Sequence, residues 1–457
     1  MTIDAAVTEL ASFLGPRLTQ SKSDLDIHGR SETYFPLTLP DAVAYPENTA
    51  EVSEIVKICA RHGCPVVAWG VGTSLEGHAL AVQGGVVVDF SRMNRVLQVN
   101  AEDMDVVIQP GVTREALNAE LRATGLFFPV DPGANATLGG MAMTRASGTT
   151  AVRYGTMRDN VRALEVVLAD GRIIRTGSRA KKSSAGYDLT ALMVGSEGTL
   201  GLVTELTLKL HGQPEAVSSA VCSFADMGRA VETVITTIQS GIPMARIEFV
   251  DPMMVDAFNK YSGVNMPLMP HLLVEFHGSD AAVEQDVARF KEIADDFGAE
   301  GFTWATSAED RKALWDMRHK AHWAALALYP GAKALVTDIC VPISRLAEAV
   351  EETSKDIQDS VVPGAIVGHM GDGNFHAELL FDEANPAEWA EVKRLSHRMV
   401  ERALRLGGTS TGEHGVGIGK LDYMAQEHGE GWSVMADIKR TLDPQNILNP
   451  GKVVRVN

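Results

Sequence analysis

Apolar positions along this chain change period several times, and each change predicts an element. Residues 1–36 read as a leading amphipathic helix and a loop. Apolar spacing over Ala50–Arg61 predicts a helix stopped at Gly63. Pro65–Trp69, Gly85–Asp89 and Val106–Gln109 are short apolar runs that predict strands, and Thr113–Thr124 predicts a helix stopped at Gly125. Ala163–Ala169, the Asp170-Gly171 dipeptide and Arg172–Thr176 predict a hairpin, with a further strand at Val203–Leu210. Gly70–Gly77 and Pro129–Gly155 show no period and are read as long irregular loops. Beyond Pro214 the texture shifts. Helical patterns cover Ala230–Ser240, Ala282–Phe297, Ala308–Leu328 and Glu388–Leu406. Strand patterns cover Ala245–Val250, His271–Phe276, Ala334–Val341, Gly364–Met370 and Phe375–Phe381, and the tail Leu442–Lys452 reads as loop. This half predicts an α+β domain whose antiparallel sheet carries helices on one face.

The last two strands enclose Gly368-His-Met-Gly-Asp-Gly-Asn-Phe-His376. An Asp-Gly dipeptide favours the tip of a two-residue hairpin. With Asp372-Gly373 at the tip, His369 faces His376 as a cross-strand pair, Cβ atoms about 4.5–5.5 Å apart. Both imidazoles can then hold one metal ion. Asn374, His376 and Glu378 share one face of the strand, and Phe375, Ala377 and Leu379 share the other. Thr411-Gly-Glu-His-Gly-Val-Gly417 offers Glu413 as a candidate third metal ligand and His414 as a neighbouring base, if Gly412, Gly415 and Gly417 make a loop; in a regular strand the two would face opposite ways. Two His and a Glu make a set found in catalytic zinc sites with one position open.

Composition narrows the field. The 457 residues are 45% hydrophobic and carry a net charge of −18, so nucleic acid and anionic membrane surfaces are poor partners. The four cysteines, Cys59, Cys64, Cys222 and Cys340, form no Cys-x-x-Cys, which argues against an iron–sulfur cluster, a structural zinc site or a disulfide framework. The start lacks a basic n-region, and no apolar run reaches the ~18–20 residues of a membrane span. The resulting expectation is a cytoplasmic protein.

Three glycine-rich loops are clustered in the first half. They are Trp69-Gly-Val-Gly-Thr-Ser-Leu-Glu-Gly77, the stretch Val130–Gly140 continuing to Gly155, and Gly195-Ser-Glu-Gly-Thr-Leu-Gly201. Singly, each reads equally as a turn or a surface loop. Together they suggest a large phosphate-bearing cofactor bound along extended backbone. In the second half Arg318, His319 and His322 lie on one predicted helix, with Lys333 following. They read either as a carboxylate clamp or as solvated helix charges.

Taken in order, Gly72-Thr-Ser-Leu-Glu-Gly-His78, Gly195–Gly201, His369-x-Gly-Asp-Gly-Asn-x-His376, Gly412-Glu-His-Gly415 and Asn449-Pro-Gly-Lys452 resemble the flavin-dependent D-2-hydroxy-acid dehydrogenases of the vanillyl-alcohol-oxidase type. The resemblance runs from about residue 20 to 454. The stretch Met317–Leu326, continuing to Ser344, is most like the D-lactate (cytochrome) branch. The resemblance implies an α+β protein with an N-terminal helical segment (1–36), a PCMH-type FAD-binding domain (37–213), an α+β cap domain with an antiparallel sheet carrying the His hairpin (214–410), and a C-terminal segment returning to the flavin (411–457). It implies non-covalent FAD lined by Gly70, Val71, Gly72, Thr73, Ser74, Leu75, Gly77, His78, Pro132, Gly133, Thr137, Leu138, Gly139, Gly140, Ser147, Gly148, Tyr154, Glu197, Gly198, Gly201, Val203 and Asn449. A divalent ion, zinc or manganese, would be held by His369, His376 and Glu413, with His414 as general base. Arg318 and Lys333 would bind the substrate carboxylate, and His322 and Glu378 would line the rest of the pocket. Hydroxyglutarate enzymes carry Asn at the position of Glu378, so its extra charge points to a monocarboxylic D-2-hydroxy acid.

The implied reaction oxidises D-lactate first, with D-2-hydroxyglutarate and glycolate as alternatives. Electrons would pass to a separate cytochrome, quinone or electron-transfer flavoprotein. A homodimer and peripheral attachment to the inner membrane are compatible with this family. The residues also leave open a zinc hydrolase with a nucleotide-binding domain and a non-catalytic flavin-binding subunit.

Overall fold

The computed structural model describes residues 2–305 and 307–456. The chain forms two compact units. One comprises residues up to Ser147, Gly155–Gln213 and the segment from Glu413 onward; the other comprises Gly148–Tyr154 and Pro214–Gly412.

In the first unit, helix Thr49–His62 begins where the Asn48 side chain accepts from the Glu51 amide. It ends at Gly63, whose φ of 63° closes the helix while the Cys64 amide donates to the Cys59 carbonyl. Its apolar face, Val52, Ile55, Val56, Ile58 and Cys59, is wholly buried. On one side it meets Ala42, Ala44, Val66, Val86 and Val88 of a four-stranded sheet, and on the other Val167 and Leu202 of a five-stranded sheet. The smaller sheet runs Leu18–Thr19, Ala42–Ala44, Val86–Asp89, Val66–Trp69, with its last three strands parallel. The larger runs Val96–Asn100, Asp105–Ile108, Leu202–Lys209, Val161–Val167, Ile173–Arg175, all antiparallel. The C-terminal segment belongs to this core. Leu448 bridges to Val66, with the Val66 amide donating to Ile447 and the Asn449 amide donating to the Val66 carbonyl.

The stretch 129–155, read as irregular, contains helix Leu138–Thr144 and a helical turn at Ala151–Tyr154. Its glycines mask a helical period: Leu138, Met141 and Ala142 pack into the core of the larger sheet.

The second unit is built on an eight-stranded antiparallel sheet. Its order is Glu300–Ala305, Ala216–Ser223, His271–Gly278, Met244–Val250, Gly364–His369, Asn374–Phe381 and Lys333–Val336, with Ile339–Cys340 also pairing to Asn374–Phe381. Helices cover both faces, not one. Phe290 of helix Asp280–Asp296 packs on Phe276, while Trp315 of helix Ala308–His319 reaches Glu275 on the opposite face. Consequently every residue of Asn374–Phe381 is buried. The predicted helix Ala308–Leu328 breaks at Lys320 into Ala308–His319 and Ala321–Leu328. The second piece turns its small residues Ala321, Ala324 and Ala325 onto Val255 and Phe258 of helix Pro252–Ser262, and this packing overrides a continuous helix.

Candidate active site

The histidine hairpin exists, but its register differs from the expected one. His369 pairs with Asn374, Gly368 with Phe375 and Val367 with His376. The connection is a 3₁₀ turn, Met370–Asp372, followed by Gly373 at φ 77°, in place of a two-residue Asp-Gly turn. Packing decides this. A Cβ on Gly373 would lie 2.1 Å from the Val341 carbonyl oxygen, and one on Gly371 would lie 2.6 Å from Val152. The tip is therefore wedged under neighbouring backbone, and tertiary contacts override the dipeptide's local preference. The shift is by two residues, which preserves the face each side chain takes. His369 and His376 become diagonal neighbours with ring centroids 5.4 Å apart.

Each ring is fixed through one nitrogen. His369 Nδ1 lies 2.8 Å from Glu248 Oε1, and His376 Nδ1 lies 3.0 Å from the Thr337 carbonyl oxygen. A carbonyl oxygen can only accept, and a carboxylate holds Nδ1 as donor, so Nδ1 carries the proton in both and Nε2 carries the lone pair. A carboxylate or carbonyl behind one nitrogen is the usual support of a metal-binding histidine. Ligand atoms of His369 and His376 lie within 4.8 Å of one another, as do those of Asp338 and His376. Asp338, fully buried, accepts from Asn374 Nδ2 at 2.8 Å and from the Thr411 hydroxyl at 2.6 Å.

Glu248 also meets Arg318, Nη2 to Oε2 at 2.6 Å, so one buried carboxylate steadies a guanidinium and an imidazole. The buried Nε of Arg318 finds no hydrogen-bond partner among the described residues. His322 Nδ1 meets Glu378 Oε2 at 2.9 Å. Lys333 does not join this group. It is half-exposed at the far end of its strand, opposite Phe381, and pairs with Glu383 at 2.7 Å, so the expected carboxylate clamp loses its lysine. Glu248 and Asp338 escaped sequence reading. The signal for Glu248 was two charges, Arg246 and Glu248, two residues apart in the otherwise apolar strand Met244–Val250.

Tyr154, expected against the flavin, lies in the second unit, where its hydroxyl is 2.7 Å from His277 Nδ1. His277 Nε2 meets Glu275 at 2.9 Å, and Glu275 also accepts from Ser219 and the Trp315 indole. Burial opposes ionisation of Glu275, yet His277, Arg246 and Ser219 together hold its carboxyl below the usual range. Gly148 likewise belongs to the second unit, directly after Ser147, the last residue of its segment in the first.

In the first unit, Gly70–His78 and Gly195–Gly201 lie side by side because Asn449 bridges them. Its Nδ2 donates to the His78 carbonyl at 3.0 Å and to the Glu197 carbonyl at 2.7 Å. Lys452 Nζ in turn donates to Asn449 Oδ1 and the Leu80 carbonyl; burial pushes its pKa down to about 8, against the pull of Glu197. The backbone here is packed too closely for side chains. A Cβ on Gly70 would lie 2.2 Å from Thr137 Oγ1, and one on Gly72, at φ 76°, 2.4 Å from the Trp69 ring. Among the remaining expected cofactor residues, Leu138 and Val203 send their side chains into the core. Gly201 is a packing glycine under Val166. Glu197 stands at φ 54°, a conformation that costs a non-glycine residue about 1–2 kcal/mol. Its Oε1 accepts from the Val416 amide at 2.6 Å and its Oε2 from the Gly417 amide at 2.8 Å.

Residues 213–453 match the family described as FAD linked oxidases, C-terminal domain, and residues 40–177 match the FAD binding domain. The chain is a member of the FAD-linked oxidase family. It is 48% identical over 433 residues to a probable mitochondrial D-lactate dehydrogenase of Danio rerio, covering 94% of this chain and 87% of that one. It is 44% identical over 451 residues to the mitochondrial D-lactate dehydrogenase (cytochrome) of Arabidopsis thaliana, covering 98% and 80%. Among solved structures, 4-ethylphenol oxidase from Gulosibacter chungangensis superposes with a TM-score of 0.81 at 19% identity, covering 99% of this chain and 97% of that one.

This FAD-linked oxidase therefore has the PCMH-type fold and is an oxidoreductase with an FAD-binding domain. The adjacent loops of the first unit fit such a cofactor. Their glycines let the backbone lie close against Thr137 and Trp69, and Asn449, held by Lys452, joins the two loops side by side. The expected cytoplasmic location is corrected by these findings. The animal and plant relatives are mitochondrial proteins, so a cytoplasmic default does not hold. No helix among the described residues is long and apolar enough to cross a membrane.

Proposed function

We propose that this FAD-linked oxidase converts a D-2-hydroxy acid, D-lactate in the first instance, to the 2-oxo acid. The observation that carries this reading is the buried His369–His376 pair, both rings set with Nε2 as the lone-pair nitrogen. The names of relatives sharing nearly half of its residues agree with it. FAD, held non-covalently along Gly70–His78 and Gly195–Gly201, supplies a two-electron acceptor for the hydride on C2. A zinc or manganese ion would be held by His369, His376 and Glu413, where it would polarise the substrate hydroxyl.

The chain's own residues do the rest. His414 takes the hydroxyl proton as general base. Glu413 and His414 follow directly on Thr411 and Gly412, and the Thr411 hydroxyl is tied to Asp338 beside His376. Arg318, steadied by Glu248, binds the substrate carboxylate. The half-exposed His322 and the buried Glu378 form the wall facing the C3 end of the substrate. Glu378 already carries a negative charge there, so a second substrate carboxylate is repelled and a monocarboxylate is preferred. A separate acceptor, a cytochrome by analogy with the name of the plant relative, takes the electrons onward.

Anaerobic mixing of the yellow protein with D-lactate, L-lactate, glycolate and D-2-hydroxyglutarate tests this. D-lactate should bleach the flavin fastest and L-lactate not at all. A chelator should slow the bleaching, and zinc or manganese should restore it. A colourless protein, or bleaching indifferent to chirality and chelator, would refute the proposal.

A further inference from the structure

We infer that Glu197 is a positioning residue for the loop carrying Glu413 and His414, and that it is not a ligand of the cofactor. The proposal rests on the hydroxy-acid reading only for the part that His414 plays. The carboxylate of Glu197 is almost fully buried, and each of its oxygens accepts from a backbone amide of that loop, Val416 at 2.6 Å and Gly417 at 2.8 Å. His78 Nε2 stands 3.4 Å from Oε1 on the same side. The backbone of Glu197 is engaged too: its amide donates to the Met143 carbonyl and its carbonyl accepts from Asn449. Its polar atoms thus serve the fold of the first unit.

Two further observations point the same way. Glu197 sits at φ 54°, which glycine would adopt without strain, in a loop that already holds Gly195, Gly198 and Gly201. A strained glutamate there requires a use for its side chain, and the two charge-assisted hydrogen bonds supply one. The loop it holds has no room for slippage. Gly415 is at φ 81°, and a Cβ on it would lie 2.7 Å from both Glu197 Oε1 and His78 Nε2. A Cβ on Gly417 would lie 2.0 Å from the Glu76 carbonyl oxygen, and the Ile418 amide donates to that same oxygen at 2.8 Å. Residues 415–418 are therefore clipped to both cofactor loops, to one through a side chain and to the other through backbone. His414 is the residue just before the clip. The loop Gly195–Gly201 would accordingly carry two tasks: its backbone faces the cofactor, and its one acidic side chain fixes the base.

The test uses the flavin-loaded protein. Glu197→Gly removes the carboxylate and relieves the backbone. Glu197→Gln keeps the shape but replaces one acceptor oxygen by an NH₂ that faces a donor. In both variants hydrogen exchange of the Val416 and Gly417 amides should accelerate about ten- to a hundredfold. Exchange over residues 70–78 and FAD content should remain at wild-type levels. With D-lactate, kcat should fall at least about tenfold with a smaller change in KM. Unchanged exchange at Val416 and Gly417 would overturn the proposal. So would loss of FAD with that protection intact, which would make Glu197 a cofactor ligand. If Glu197→Gly does not fold, Glu197→Gln decides by the same readings. Exchange and flavin content need no substrate, so wild-type protein inactive on every hydroxy acid would sink the functional reading and leave this test standing.

Discussion

Replacing Glu248 by Gln should destabilise the second unit and weaken the proposed metal binding together. Glu248 is 1% exposed and contacts the Arg318 guanidinium at 2.6 Å and His369 Nδ1 at 2.8 Å. Arg318 is itself 7% exposed, so without the carboxylate its charge is buried and uncompensated. Breaking a buried pair from one side costs about 3–5 kcal/mol; a Gln that keeps one acceptor belongs at the lower end, about 3 kcal/mol. For a cooperative unit of about 200 residues, each kcal/mol moves the midpoint about 2–4 °C, so Tm should fall about 6–12 °C. The same substitution removes the acceptor that fixes the His369 tautomer, and affinity for zinc or manganese should drop about ten- to a hundredfold. Thermal melts by circular dichroism and metal content after dialysis measure the two effects. Glu248→Gln combined with Arg318→Met removes both charges and should recover stability relative to Glu248→Gln alone, a coupling of about 2–3 kcal/mol. A melt within about 2 °C of wild type, or a double variant no more stable than the single one, would refute the reasoning.

Gly415→Ala forces a positive φ and places a Cβ against Glu197 and His78; turnover of D-lactate should fall at least about tenfold while FAD is retained, as judged by flavin absorbance. Lys452 should make the first unit more stable as pH rises. Its folded pKa of about 8 lies below the unfolded 10.5, so the unfolded chain binds more protons between these values and stability climbs by about 3 kcal/mol across that window. Lys452→Met should lose this dependence in melts taken at intervals from neutral to strongly alkaline pH, and an unchanged slope would show that Lys452 is not its source. Glu378→Gln removes the charge facing His322 and should raise kcat/KM for D-2-hydroxyglutarate relative to D-lactate about tenfold; an unaltered ratio would remove Glu378 from specificity.

Much of the fold was legible because the signals were periodic or local. Gly63 ends the helix that apolar spacing predicts over Ala50–Arg61, and alternation in Asn374–Phe381 places His376 and Glu378 on one face, a placement that survives a two-residue slip in register. What sequence could not supply were partners distant along the chain. Glu248 is 121 residues from His369, and Asp338 is 38 residues before His376; neither spacing carries a signal. Lys333 follows Arg318 closely along the chain, but its place opposite Phe381 keeps it apart from the histidine pair. The strand carries it to Glu383 instead. The one-faced covering follows from the polar–apolar alternation of Asn374–Phe381, which reads as a strand with one face in water, whereas both of its faces are buried.

The bond between Asn449 and the His78 carbonyl spans 371 residues. On a ribosome, the strand Val66–Trp69 and the glycine loops emerge long before Leu448 and Asn449 exist to complete them. For most of synthesis the first unit is therefore a sheet with an open edge and unstapled loops, a state exposed to aggregation. The staple across the glycine loops can form only once Leu448 and Asn449 have been made. A nascent chain arrested after residue 412 should be sensitive to protease in the Gly70–His78 region, and a chain that includes Leu448–Lys452 resistant. The segment from Glu413 onward thus makes the order of the glycine loops depend on residues made hundreds of positions later.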